Sequence, residues 1–197
     1  GTRLAFRNNV AGDTNVVVYE GEANRLAKVT SFKGAAIQPH PALWWSDNRH
    51  LAIAVTFTGV DGLDWFRADA TGQPERLLVG RDHLPRGFLS NNRLLYVDAV
   101  PPYRAAVLTL NLADPDHPKA GQPEVLFTSE TPIEELAVSP DGKWMAYQLR
   151  STDLANNRGR TDLYLLAIDK AGQAPRLIAS VPDKNEASPV FSADGSA

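Results

Sequence analysis

The chain has 197 residues, 43% of them hydrophobic, and a formal net charge of −3; this length supports one domain that buries roughly 70% of its unfolded surface. Lysine and arginine are scattered, which argues against a nucleic-acid surface, and no run of about 18 apolar residues is present to form a membrane-inserted helix. Cysteine is absent, which excludes disulfides, thiolate metal sites and a cysteine nucleophile and is compatible with an oxidising compartment.

The sequence opens on Gly1-Thr2-Arg3 without a methionine or a signal-peptide pattern, so the natural start is expected upstream. A first strand is predicted at Leu4-Ala5-Phe6, with Gly1 fitting the end of an interrupted turn. A second runs from Asn15 to Tyr19, and Asn24-Arg25-Leu26 marks a weak outer strand. Trp44-Trp45-Ser46-Asp47-Asn48 then gives an apolar pair, a serine and a polar turn. Strands follow at Leu51–Phe57 and Asp64 to Ala68, and an outer strand at Gln73-Pro74-Glu75-Arg76-Leu77-Leu78. The series recurs as Phe88-Leu89-Ser90-Asn91-Asn92, Leu94–Val97, Ala106 to Leu110 and Gln122-Pro123-Glu124-Val125-Leu126. It recurs again as Ala137-Val138-Ser139-Pro140-Asp141-Gly142, Trp144–Gln148, Thr161 to Ile168 and Gln173-Ala174-Pro175-Arg176-Leu177-Ile178. Val190-Phe191-Ser192-Ala193-Asp194-Gly195 starts a further copy.

The repeated serines at 46, 90, 139 and 192 are thus 44, 49 and 53 residues apart. Asn-Asn and Asp-Gly between apolar runs supply the positive-φ positions of tight hairpins. A meander of four short strands cannot cover both its faces, whereas radial stacking of such sheets can, and a period of 40–50 residues is that of propeller blades. No stretch of ten or more residues has helical periodicity. The expected fold is all-β: a β-propeller of four-stranded antiparallel blades. About four blades' worth is present, in approximate units 1–41, 42–86, 87–134 and 135–186, with 187–197 opening the next. The chain is expected to be an open part of a larger ring. The alternative is closure by a strand at Ser188–Ser192 pairing with Thr2–Arg7, which would place Phe191 beside Leu4. Trp44 and Trp45 point to opposite faces, so both are buried only if their strand has a blade on each side.

Val138-Ser139-Pro140-Asp141-Gly142-Lys143-Trp144-Met145-Ala146-Tyr147, followed by Thr161-Asp162-Leu163-Tyr164 and Pro175-Arg176-Leu177, resembles the repeat of TolB-like propellers. The turns at Ser46-Asp47-Asn48 and Ser90-Asn91-Asn92 depart from that pattern by lacking Pro and Gly. The resemblance implies a periplasmic or extracytoplasmic setting and a protein or peptide partner. Three uses of the fold follow from it: a non-catalytic binding or scaffolding module, the substrate-gating propeller of a prolyl oligopeptidase family serine peptidase, or the sensor propeller of a kinase or transcriptional regulator. The last two imply a fused catalytic or signalling domain.

Chemistry is sparse. No Gly-x-Ser-x-Gly elbow, no phosphate loop and no His-x-x-x-His pair is present. No catalytic residue, cofactor site or metal site is therefore assigned, and neither a nucleic acid nor direct membrane insertion is expected. His40, between Pro39 and Pro41, is read as structural, with the central channel as its alternative. His117, after Asp114-Pro115-Asp116, is read as a surface turn. Asp61-Gly62-Leu63-Asp64 and Asp183-Lys184-Asn185-Glu186 have too few oxygen ligands for a calcium loop and are read as solvated hairpin tips. Trp44, Trp45, Trp65, Phe66, Phe88, Tyr103 and Trp144 are assigned mainly to inter-sheet packing. Two loops join the same strand pair in successive blades and are candidates for recognition: Asp98 to Arg104, with Tyr103 and Arg104, and Ser151 to Arg160, with Asp153, Asn156, Arg158 and Arg160. Longer loops gathered on one face mark a binding side; plain solvated loops are the alternative.

Overall fold

The structure is a computed structural model that describes residues 2–32, 36–37, 42–56, 61–80, 82–153, 158–169, 172–182 and 184–194, with 36, 37 and 153 as backbone only. These residues form seventeen strands and no helix. The first sheet contains β1 (Arg3–Val10), β2 (Asp13–Glu20) and β3 (Arg25–Lys28). The second contains β4 (Ala36–Ile37), β5 (Leu43–Trp44), β6 (His50–Thr56), β7 (Gly62–Arg67) and β8 (Glu75–Val79). The third contains β9 (His83–Leu89), β10 (Arg93–Asp98), β11 (Tyr103–Asn111), β12 (Lys119–Ala120) and β13 (Glu124–Ser129). The fourth contains β14 (Ile133–Val138), β15 (Trp144–Asp153), β16 (Arg158–Ala167) and β17 (Arg176–Ala179). Within each sheet the strands lie in chain order, except that β4 and β5 both pair with β6 and β12 and β13 both pair with β11, and every pairing is antiparallel.

Strand alternation explains how these sheets stack. On β6, Leu51, Ile53 and Val55 turn toward Val16, Val18 and Val29 of the first sheet. Ala52, one residue out of phase, joins Leu63 and Trp65 against Leu94, Tyr96 and Leu108 of the third. On β10, Leu95 and Val97 take the opposite face and pack with Met145, Tyr147 and Leu166 of the fourth. Period-two geometry with both faces apolar requires a covering layer on each side, so three apolar layers separate four sheets. Trp44 joins the first layer and Trp45 the second, as their adjacency predicts. The turns carry the expected left-handed residues: Asn48 (φ 55), Asn91 (φ 60), Asn92 (φ 58) and Gly142 (φ 70).

Four expectations are corrected. Gly62, Leu63 and Asp64 are buried inside β7 and form no solvated tip, because Asp64 is paired with Arg76 directly across on β8. Residues 151–153 and 158–160 are paired strand, not loop: the β15–β16 hairpin continues through Ser151↔Arg160, Thr152↔Gly159 and Asp153↔Arg158. Trp144, at the first position of β15, is 42% exposed, since its face of the fourth sheet points away from the third. Ser188–Ser192 forms no strand, because no described strand offers it a ladder; Ser188 instead donates from Oγ to Glu135 at 2.5 Å. Leu4 pairs with Tyr19, and Phe191 is not its neighbour in a sheet. His40, Asp183 and Asn156 lie outside the described residues.

Candidate functional site

The two recognition segments have different characters. At the first, Asp98 closes β10 and stands opposite Arg104. Its side chain is 4% exposed. It accepts from Arg104 Nε at 2.7 Å and lies 2.7 Å from His83 Nδ1. Burial raises the Asp98 pKa, but the hydrogen bonds from His83 and Arg104 more than offset it, and the carboxyl stays below its ordinary range. The Asp98 hydrogen bond raises His83 above the ordinary imidazole value despite its partial burial. Tyr103 packs against the layer between the third and fourth sheets. Through Asp98, Arg104 and His83 link the ends of β9, β10 and β11, with the Arg104 side chain 43% exposed, and the turn is completed by a cis Pro101-Pro102 bond.

The second segment is open. Ser151 and Thr152 of β15, Arg158, Gly159 and Arg160 of β16, and Pro182, Lys184 and Asn185 line a groove of about 840 Å³. Three of these eight residues are cationic and none is a carboxylate, although the whole chain is net negative. Arg160 shares an ion pair with Asp162 at 3.1 Å. Arg150, one residue before Ser151, lies over Gly159, where an added Cβ would come within 3.0 Å of its guanidinium. At the inner end of the groove, Thr161 N–H donates to Asn185 Oδ1 at 3.1 Å, and Glu186 N–H donates to Thr161 C=O at 3.1 Å. Of the predicted recognition residues, the structure thus brings Arg158 and Arg160 to one groove, places the Asp153 backbone beside them, packs Tyr103 against an apolar layer and pairs Arg104 with Asp98.

A third arrangement escaped sequence reasoning. His50, 1% exposed, lies 2.6 Å from Asp47 Oδ2 through Nδ1 and 2.9 Å from Asp116 Oδ1 through Nε2. Asp116 also pairs with Arg67 at 2.7 Å. The His50 ring stacks on Trp65 at 5.3 Å, and Trp65 donates to the Pro115 carbonyl at 3.0 Å. Desolvation raises the Asp47 pKa, but backbone N–H of Arg49 and the His50 ring reverse the sign and leave it lowered. The turn read as surface thus fastens the third sheet to the second through Pro115 and Asp116, while His117 itself stays exposed. The cluster binds sheet to sheet. Among the described residues, no group of three or more His, Asp or Glu is arranged to hold a metal ion.

No family profile matches the sequence, and no curated protein matches it. Solved structures do match its shape. TolB from Acinetobacter baumannii superposes with a TM-score of 0.62 at 17% identity over 86% of this chain and 39% of that one. The putative TolB from Agrobacterium tumefaciens gives 0.64 at 14% identity over 90% of this chain and 61% of that one. Kuenenia stuttgartiensis hydrazine synthase gives 0.54 at 14% identity, over 90% and 51%. This chain therefore spans between 39% and 61% of the length of these structures. Four antiparallel sheets stacked through alternating apolar layers, and superposable on two TolB structures, make the fold of this chain a TolB-like β-propeller.

Proposed function

We propose that this chain is a non-catalytic propeller module that binds a protein or peptide partner, with the groove beside the β15–β16 hairpin as its contact surface. The carrying observation is that this hairpin extends three paired residues past Arg150 on each strand, more than the sheet core uses, and presents a cation-lined groove at its end. The aromatic groove at the opposite strand ends, near Trp45 and Phe88, has polar groups that satisfy one another: Ser139 Oγ donates to Asp141 and accepts from Trp144 N–H. Loops and strand ends displayed by a rigid β scaffold are the usual seat of recognition.

The test is selection of a phage-displayed random-peptide library on the folded chain, followed by amide hydrogen exchange with the selected peptide. The expected result is protection at Ser151–Thr152, Arg158–Thr161 and Lys184–Asn185, with no turnover of aminoacyl or peptidyl reporter esters. Selection of no peptide, or reporter turnover abolished by one substitution in this chain, overturns the proposal.

A further inference from the structure

The β16 edge beside the groove is half used. Thr161 spends both its backbone N–H and its C=O on the side away from β15, to Asn185 and Glu186. β17 pairs with the same side only at Leu163–Leu165. In an antiparallel strand, groups two residues apart point the same way. The N–H and C=O of Gly159 therefore face the outer edge, in line with those of Thr161. No described residue meets them there. Arg158–Arg160 has β15 on one flank and the groove on the other. An unpaired strand edge is a template for an added strand.

The charge on this edge is one-sided. Arg150 and Lys184 make no ion pair with any described residue. Arg160 shares Asp162, and Arg158 stands opposite Asp153 in the hairpin register. Among the described side chains here, Glu186 adds a carboxylate whose Oε1 accepts from Val181 N–H at 3.2 Å. Two cations without an ion-pair partner among the described residues thus flank an edge whose central residue carries no side chain of its own.

We propose that this edge accepts an extended acidic peptide, which adds as a strand alongside Arg158–Arg160. It exchanges backbone hydrogen bonds with Gly159, and its alternate carboxylates, all on one face of the added strand, meet Arg150 and Lys184. The proposal rests on the peptide-binding reading above and specifies its ligand. Main-chain bonds supply attachment and the basic side chains supply selectivity and steering.

The experiment uses two capped, fluorescein-labelled octapeptides, one of alternating Glu and Val and one of alternating Lys and Val, titrated against the folded chain by fluorescence anisotropy. The Glu-Val peptide is expected to bind and the Lys-Val peptide not to. Binding is expected to weaken at least about tenfold in the double variant Arg150→Glu, Lys184→Glu, since two attractive surface pairs are lost and charge reversal adds repulsion. It should also weaken as salt shortens the Debye length. The Gly159 amide should gain hydrogen-exchange protection only with the Glu-Val peptide. An unchanged circular dichroism spectrum confirms that the double variant is folded. Equal binding of both peptides, unaltered binding by the double variant, or an unprotected Gly159 amide overturns this proposal. If library-selected peptides still protect the groove in any of these cases, the broader reading survives. If no peptide of either kind binds, both fall.

Discussion

The indole N–H of Trp65, in the second sheet, donates across the sheet boundary to the carbonyl of Pro115, in the third, at 3.0 Å. His50 stacks on the same indole and reaches Asp116, the next residue along, at 2.9 Å. A single short turn thus supplies two polar partners to a buried aromatic pair. His50→Ala removes the stack and leaves Asp47 and Asp116 without their shared imidazole. Loss of a buried, doubly bonded ring costs roughly 2–4 kcal/mol, so the calorimetric unfolding midpoint is expected to fall by about 5–10 °C.

Leu95 tests the apolar layers. It is fully buried between the third and fourth sheets. Leu95→Ala is expected to cost about 2–5 kcal/mol, through lost burial and the cavity left behind. Leu4 is 59% exposed, and Leu4→Ala is expected to stay within about 0.5 kcal/mol. Chemical denaturation should show a lower midpoint with an unchanged slope for the first variant and little change for the second.

The Asp98 clamp sets a pH dependence with two limbs. The Asp98 pKa is lowered in the folded chain, so its contribution is present above the ordinary carboxylate value and is lost as pH falls through the lowered one. The His83 pKa is raised, so its contribution is full below the ordinary imidazole value and is lost as pH rises through the raised one. Stability from this pair is therefore greatest in the mildly acidic range between the two. Denaturant midpoints measured across pH should decline on the neutral side in the native chain, and His83→Gln should flatten that limb.

Gly62 tests close strand approach. A Cβ added there would collide with the Leu78 carbonyl on β8 as well as with the Arg76 guanidinium. The guanidinium can move, but the carbonyl belongs to the ladder joining β7 and β8. Gly62→Ala is expected to lower the thermal midpoint by several degrees, whereas Gly12→Ala, where an added Cβ meets nothing within 4 Å, should have only the smaller effect of strain at its positive φ.

The repeat made the sheets legible because each blade writes its own turn: Ser46-Asp47-Asn48, Ser90-Asn91-Asn92 and Ser139 to Gly142 all fall between a first and a second strand. The adjacency of Trp44 and Trp45 made the stacking legible, since side chains on opposite faces of one strand are both covered only between two neighbours. The joint at Asp116 was not legible, because its partners His50 and Arg67 lie 66 and 49 residues away and no local pattern pairs a turn carboxylate with a distant ring. The groove was misplaced as a loop for another reason. Asn and Gly between Ser151 and Arg160 disfavour strand on propensity, but Arg158–Arg160 pairs residue by residue with Ser151–Asp153, and cross-strand bonding overrides local preference.

The polar bridge between the second and third sheets also bears on how the chain comes apart. Stacked repeats unfold roughly as a line of units, each held by its own stability and by its contacts with the next. Between the first and second sheets Arg3 donates to the Asn48 carbonyl at 2.8 Å and lies over Trp44, whereas the middle layer carries Trp65–Pro115, His50–Asp116 and Arg67–Asp116. The middle two sheets are therefore coupled more strongly than either is to its outer neighbour. Under mechanical pulling or partial denaturation, the chain should shed β1–β3 or β14–β17 while β6–β11 persists as a single cooperative core.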